Sequence, residues 1–177
     1  MGRTGDRNHR LSVSGLSNTS AGWPMELPLP PDFKEFLALL NLEKIEYLVV
    51  GGYAVSYHGF PRPTGDLDVW IAMDPSNATK LVAALKRFGF GAAGATEELF
   101  LTPGKVIRMG VPPVRIEVLS SVSGVDFATC SSRRIDAVID GIPVRLISRE
   151  DLISNKRAAG RDKDLNDLKH LEQRSAP

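Results

Sequence analysis

Residues 45–72 read IEYLVVGGYAVSYHGFPRPTGDLDVWIA. An apolar, β-branched run ends on Gly51-Gly52, and a second apolar run further on opens with carboxylates at Asp66 and Asp68. The first run has the length and composition of a buried strand, and the glycines stop it. Tyr53 to His58 suits a short helix, after which Gly59, Pro61, Pro63 and Gly65 force a loop. Asp66 to Ala72 reads as a second strand, with Leu67, Val69 and Ile71 on one face and Asp66, Asp68 and Trp70 on the other.

Two carboxylates at i and i+2 of a strand leave the same face with their Cα atoms roughly 6–7 Å apart, so their oxygens can converge on one divalent ion or a pair. Mg²⁺ suits such a site, because it takes few carboxylates and fills its remaining positions with water and substrate phosphate oxygens. A third acid would complete a site for two Mg²⁺ ions, with Mn²⁺ as a substitute. A strand that runs through Gly51-Gly52 straight into a helix offers bare backbone N–H groups to the phosphates of that substrate. A plain strand-ending turn is the competing reading of the glycines. Glu117 alternates with Ile116 and Val118 in a further strand, so it can stand beside Asp66 and Asp68, hold metal and help deprotonate an acceptor hydroxyl. Against this stands an exposed strand residue paired with Arg115.

The surroundings bound the problem. With 177 residues and 42% apolar content the chain has material for one well-buried core. The balance of 22 basic and 21 acidic residues gives a net charge of +1, so no global field announces nucleic acid or an anionic membrane. Cys130 is the lone cysteine, which excludes an intrachain disulfide and a multi-cysteine zinc site. No apolar run reaches the ~18 residues of a membrane helix, and a cytoplasmic location with no membrane partner is expected. Residues 1–24 are rich in Gly, Ser, Asn and Arg and read as a disordered, solvated tail. Arg3, Arg7, His9 and Arg10 as a weak RNA-binding arm are the alternative. A single folded domain is expected over 25–177.

Within that domain Pro31-Asp32 opens a helix carrying Phe33, Phe36, Leu37 and Leu40 on one stripe, and a second helix is predicted over 75–88, stopped by Gly89 and Gly91. Leu99-Phe100-Leu101 and 106–109 suggest a hairpin around Thr102-Pro103-Gly104, and Pro112-Pro113 breaks the chain before a strand over 114–119. Asp140-Gly141 marks a tight hairpin between 134–139 and 142–147. Ser148 caps a C-terminal helical region that runs to Glu172 with a break near Gly160.

The spacing apolar-Gly-Gly, thirteen residues, Asp-Leu-Asp-Val resembles the signature of the DNA polymerase β-like nucleotidyltransferase superfamily. Gly51, Gly52, Ala54, His58, Gly59, Arg62, Thr64, Asp66 and Asp68 match the pattern of small bacterial nucleotidyltransferases related to AbiEii-type abortive-infection toxins. Residues 110–127 resemble the segment holding the third acid, with Glu117 where aspartate is usual. Residues 147–172 resemble the C-terminal helical motif, in which Lys156 and Asp164 take the positions that approach the nucleotide. The likeness spans about 32–172. It implies an α/β (α+β) polymerase β-like fold, a mixed central sheet with flanking helices and a C-terminal helical region. It also implies transfer of a nucleoside monophosphate from an NTP, such as ATP, to an acceptor hydroxyl. An RNA 3′ end such as tRNA, or a partner protein, is the expected acceptor, with a possible toxin–antitoxin or phage-defence role. A small-molecule acceptor of the aminoglycoside type and a non-catalytic nucleotide-binding or antitoxin-like module are the alternatives. Arg62 reads as a triphosphate clamp or a solvated side chain. Thr64 reads as a phosphate donor or a strand cap, and Lys156 as a nucleotide ligand or part of a charged helix face. His58 reads as a packing or loop-capping residue, and Cys130 has no neighbouring His or Asp pattern that would make it a nucleophile.

Overall fold

In the computed structural model, which describes residues 27–90 and 94–173, the helix α1 (Pro31–Leu42) leads into β1 (Tyr47–Val50), α2 (Gly51–Tyr57) and β2 (Asp66–Ile71). The tail expected over 1–24 lies outside the described residues. There follow α3 (Pro75–Leu85), α4 (Glu97–Leu101), β3 (Val106–Val111), β4 (Val114–Leu119), α5 (Phe127–Ser132), β5 (Ile135–Ile139), β6 (Ile142–Leu146), α6 (Arg149–Ala159) and α7 (Asp162–Gln173).

The six strands form one mixed sheet in the order β3-β4-β2-β1-β6-β5. β1 runs antiparallel to β2 and parallel to β6, while β2 and β4 are parallel. The outer pairs β3–β4 and β5–β6 are antiparallel hairpins. The fold class read from the sequence is therefore the one observed. All four residues of β1 are buried, as suits a strand with neighbours on both edges. Phe33, Phe36, Leu37 and Leu40 of α1 are buried on its apolar stripe, and Leu67, Val69 and Ile71 of β2 join them in one core cluster. Burial of such side chains stabilises by about 1.5–3 kcal/mol each.

Asn77 shows how polar residues tie this core together. Its side chain accepts from the Glu46 backbone at 2.8 Å and donates to the carbonyls of Glu46 and Ala72, both at 3.0 Å. The α3 helix is thereby bolted to the ends of two central strands, and α3 is capped in turn by Asp74.

The structure corrects the expected hairpin over 99–109. Leu99-Phe100-Leu101 belongs to α4, not to a strand, and β3 pairs with β4 across the Pro112-Pro113 turn. A three-residue apolar run carries no usable period, and here the buried Phe100 behind Glu97 and Glu98 at the first turn favours helix. Gly110, at φ 80°, lies 2.6 Å from the Val114 carbonyl when given a Cβ, so only glycine fits that close hairpin end. The α2 helix also begins earlier than expected, at Gly51 instead of Tyr53.

Candidate active site

The parallel pairing of β2 with β4 sets the site. Its register places Asp66 opposite Arg115 and Asp68 opposite Glu117. Because side chains alternate along both strands, the three acids leave one face of the sheet. They open into a cavity of about 620 Å³ that Gly51, Gly52, Arg62, Thr64 and Lys156 also line.

Gly51 has a second reason for being glycine. It sits at φ 62°, and an added Cβ would lie 1.9 Å from Asp68 Oδ2, so the bare backbone is what lets that carboxylate stand beside the start of α2. At Gly52 a Cβ would meet Thr64 Oγ1 at 2.4 Å. Thr64 itself donates to the Asp66 carbonyl at 3.3 Å and braces the entry to β2, in keeping with its strand-capping reading.

Asp68 feels its neighbours strongly. Burial, then the charges of Glu117 and Asp66, push its carboxyl up to about 6. Two arginines answer the acids: Arg115 reaches Asp66 at 2.8 Å and Glu117 at 3.1 Å, and Arg108 reaches Glu117 at 2.9 Å. Asp66, through its hydrogen bond, raises the Arg115 guanidinium above its ordinary value. The pairing of Glu117 with Arg115, set out above as the competing reading, is thus present. Among the described residues no three His, Cys, Asp or Glu side chains converge on one point as a closed metal cage. Even so, three carboxylates balanced by two guanidiniums leave one negative charge in excess, centred where Asp68 is pushed up, and hard oxygen donors of this kind fit Mg²⁺ or Mn²⁺.

Opposite the acids lies a cationic wall. Lys156 on α6 is buried between Asp164 at 2.8 Å and Asp167 at 2.9 Å, both on α7. Arg62 grips Asp167 with two hydrogen bonds of 2.9 and 3.0 Å, and Arg161 holds Asp164 at 2.6 Å. Burial works to raise the Asp164 carboxyl, but bonds from Arg161 and Lys156 hold it below the ordinary range. Asp164 is fully buried and does not face the cavity; it stands behind Lys156, in contrast to the nucleotide-facing role expected of it. Two carboxylates against Arg62, Lys156 and Arg161 leave an excess positive charge, and Lys163 adds to it. The cavity is therefore bipolar, with an anionic end on the sheet and a cationic end on the helices.

Asp167, Arg108, Arg161 and Lys163 escaped the sequence reading, which named Arg115 only as a partner for Glu117. For Asp167 a signal existed: it follows Asp164 by three residues and so shares its face of α7. His58 does as its packing reading expects, with Nε2 2.8 Å from the Ile147 carbonyl and burial lowering its pKa. Cys130 is buried away from the cavity, and burial pushes its thiol up to about 12, which leaves it unreactive.

Solved structures share this fold. The antibiotic-resistance factor ANT(2'')-Ia is 16% identical with a TM-score of 0.53, over 82% of this chain and 83% of its own. The lincomycin-bound lincosamide adenylyltransferase LnuA is 14% identical with a TM-score of 0.51, over 81% and 96%. A Thermotoga maritima protein described as a nucleotidyltransferase is 13% identical with a TM-score of 0.51, over 80% and 91%. No curated protein matches the chain. At these identities the likeness is one of fold. The sequence itself places the chain more narrowly: residues 32–172, which carry every element from α1 to α7 that builds the bipolar cavity, match the family described as "Nucleotidyltransferase of unknown function (DUF6036)", and the chain belongs to that family.

Proposed function

We propose that the chain moves a nucleoside monophosphate from an NTP to an acceptor hydroxyl and releases pyrophosphate, with Asp66, Asp68 and Glu117 as the catalytic acids. The observation that carries this reading is the bipolar cavity: acids paired in register on β2 and β4, glycines at their side, and a helical wall with surplus positive charge. Membership of a nucleotidyltransferase family supports the reaction class. Asp66, Asp68 and Glu117 would hold divalent metal, which when bound supplies charge neutralisation at the transferring phosphoryl group.

The chain's own side chains do the rest. Gly51 and Gly52 leave room for the phosphate tail, and Lys156 and Arg161 meet its negative charge. Arg62, pinned by Asp167, is a fixed cation at the cavity wall. Glu117 takes the proton of the acceptor hydroxyl. Arg115, held by Asp66 and Glu117, would be free to meet phosphate oxygens once Asp66 was engaged by a metal ion. For the acceptor, the toxin-type resemblance points to an RNA 3′ end or a partner protein, and a small hydroxyl-bearing molecule is the rival.

Incubation of the protein with each α-labelled NTP, Mg²⁺ and bulk RNA, beside Asp68→Asn, tests the reading. Label passing to RNA, to a small hydroxyl compound or to protein, and lost in the variant, supports it. Nucleotide binding without any transfer would favour the non-catalytic module instead.

A further inference from the structure

A second cavity of about 710 Å³ adjoins the first, and Ser121 lines both. Its floor is apolar and aromatic: Trp70 and Ala72 continue the face of β2 that carries Asp66 and Asp68, and Phe127 meets Trp70 edge-on at 5.1 Å. Val125 and the half-exposed Met73 extend it. Such a volume and lining suit a small organic ligand.

The rim is anionic. Glu46, Asp74 and Asp126 stand around the apolar floor, and Glu46 is bound into the fold through its backbone. Asp74 and Asp126 each accept a helix-capping hydrogen bond at Oδ1, from Asn77 N at 3.1 Å and from Thr129 N at 2.9 Å, and Asp126 also accepts from the Thr129 side chain. Among the described residues Arg134 is the one basic residue of the lining, and it is spent on Asp136 at 3.0 Å. Hydrogen bonds from Thr129 hold the Asp126 carboxyl below the ordinary range, so this edge stays charged at neutral pH.

We propose that this groove is the acceptor site, and that it takes a small cationic molecule with an apolar ring and a hydroxyl that reaches past Ser121 to the catalytic acids. The proposal rests on the nucleotidyl-transfer reading and gives that reaction its acceptor class. A polyanionic RNA end would meet three carboxylates here, whereas an amine finds complementary charge and a hydrophobic seat. Ser121 lies two residues past the end of β4, so its span from Glu117 is at most roughly 13 Å, which a small ring compound with a side chain covers in part and the cleft completes. In the transfer the acceptor oxygen bonds to the α-phosphorus and the bond from that phosphorus to the bridging oxygen breaks. Pyrophosphate leaves with the electron pair, and the hydroxyl proton passes to Glu117 and on to water.

The test uses the full chain, first without nucleotide. Amide NMR shifts are followed with phenethylamine and with 3-phenylpropionate, which share a ring and differ in charge, on wild type and on Asp74→Ser/Asp126→Ser, where serine keeps both helix caps. The expected result is shifts at Ser121, Val125 and Phe127, binding of the amine at least five-fold tighter than the acid, and a five-fold loss of that binding in the double variant with an unchanged circular dichroism spectrum. Equal binding of both probes, or shifts elsewhere, overturns the proposal while leaving nucleotidyl transfer standing. In a second arm, α-labelled ATP is supplied with 2-amino-1-phenylethanol or with an RNA oligonucleotide. Label on the amino alcohol, with kcat/KM reduced five-fold in the double variant, supports the acceptor role. Label on RNA at a rate the double variant does not change overturns it. Label on neither, with the amine still seated by its charge, overturns the transfer reading itself and the acceptor role with it.

Discussion

Asp68 carries a charge that its surroundings resist, and Gly51 is the residue that makes room for it. Burial and two neighbouring acids push the Asp68 carboxyl up to about 6, so the ionised form costs stability at neutral pH in the absence of metal. Asp68→Asn is therefore expected to abolish transfer, by at least about a thousand-fold, while raising the unfolding free energy in EDTA by on the order of 1–2 kcal/mol. Denaturant melts with and without EDTA, beside the labelled-NTP assay, check both halves. Gly51→Ala works in the opposite sense: a Cβ 1.9 Å from Asp68 Oδ2, on a backbone at φ 62°, is expected to cost about 1–3 kcal/mol and most of the activity. Asp66 and Asp68 were legible in the sequence because strand period alone puts them on one face. The steric reason for Gly51 was not, since it depends on a side chain seventeen residues away that only the β1–β2 pairing brings near.

Elements in this fold are coupled by single buried polar residues. Asp167 on α7 holds both Arg62, from the loop before β2, and Lys156 on α6. Phe60 of the same loop stacks on His170 of α7 at 3.7 Å. Asp167→Asn is expected to lower stability by about 3 kcal/mol, because it leaves the buried Lys156 and the partly exposed Arg62 short of a partner. It is also expected to raise KM for the NTP about ten-fold more than it changes kcat, as steady-state kinetics on the refolded variant would read. His58 couples the end of α2 to Ile147 ahead of α6, and its pKa lies below the ordinary 6.5. Above that pH both folded and unfolded chains hold it neutral, and its contribution is complete. As pH falls through 6.5 the unfolded chain takes the proton first, so stability declines toward the lower folded pKa. Urea unfolding between pH 5 and 7 is expected to show a shallower decline in His58→Gln than in wild type. Helix and strand identities with long periods were legible here, as in α1 and the β5–β6 hairpin. The 99–101 segment was not, because three apolar residues fit either period and tertiary burial of Phe100 decides.

At the scale of the molecule, the sheet contributes the acids, and the C-terminal helical region, with Arg62 from the loop before β2, contributes the cations. Asp68 and Lys156, 88 positions apart in the chain, thus meet at the two ends of one cavity. A net charge near zero hides this separation, which is why composition alone pointed to no anionic partner. Raising salt from about 0.05 to 0.5 M is expected to weaken NTP binding several-fold, with little effect on fold stability, because the cavity is open to solvent while the Lys156–Asp164–Asp167 cluster is not. The acid triad and the family motif were readable from residue types and spacing. The Glu117–Arg115 pair was readable too, but Arg108 and the reach of Arg115 to Asp66 were not, since only the β3–β4–β2 register sets them there. On the proposed reading, β2 and β4 would present one metal–nucleotide site beside Gly51-Gly52. A crystal structure with Mg²⁺ and a non-hydrolysable ATP analogue tests it most directly. The expected density shows metal on Asp66 and Asp68, phosphates between the glycines and Lys156, and Arg115 turned off Asp66. A triphosphate bound elsewhere, with Arg115 still bridging Asp66 and Glu117, would contradict the account.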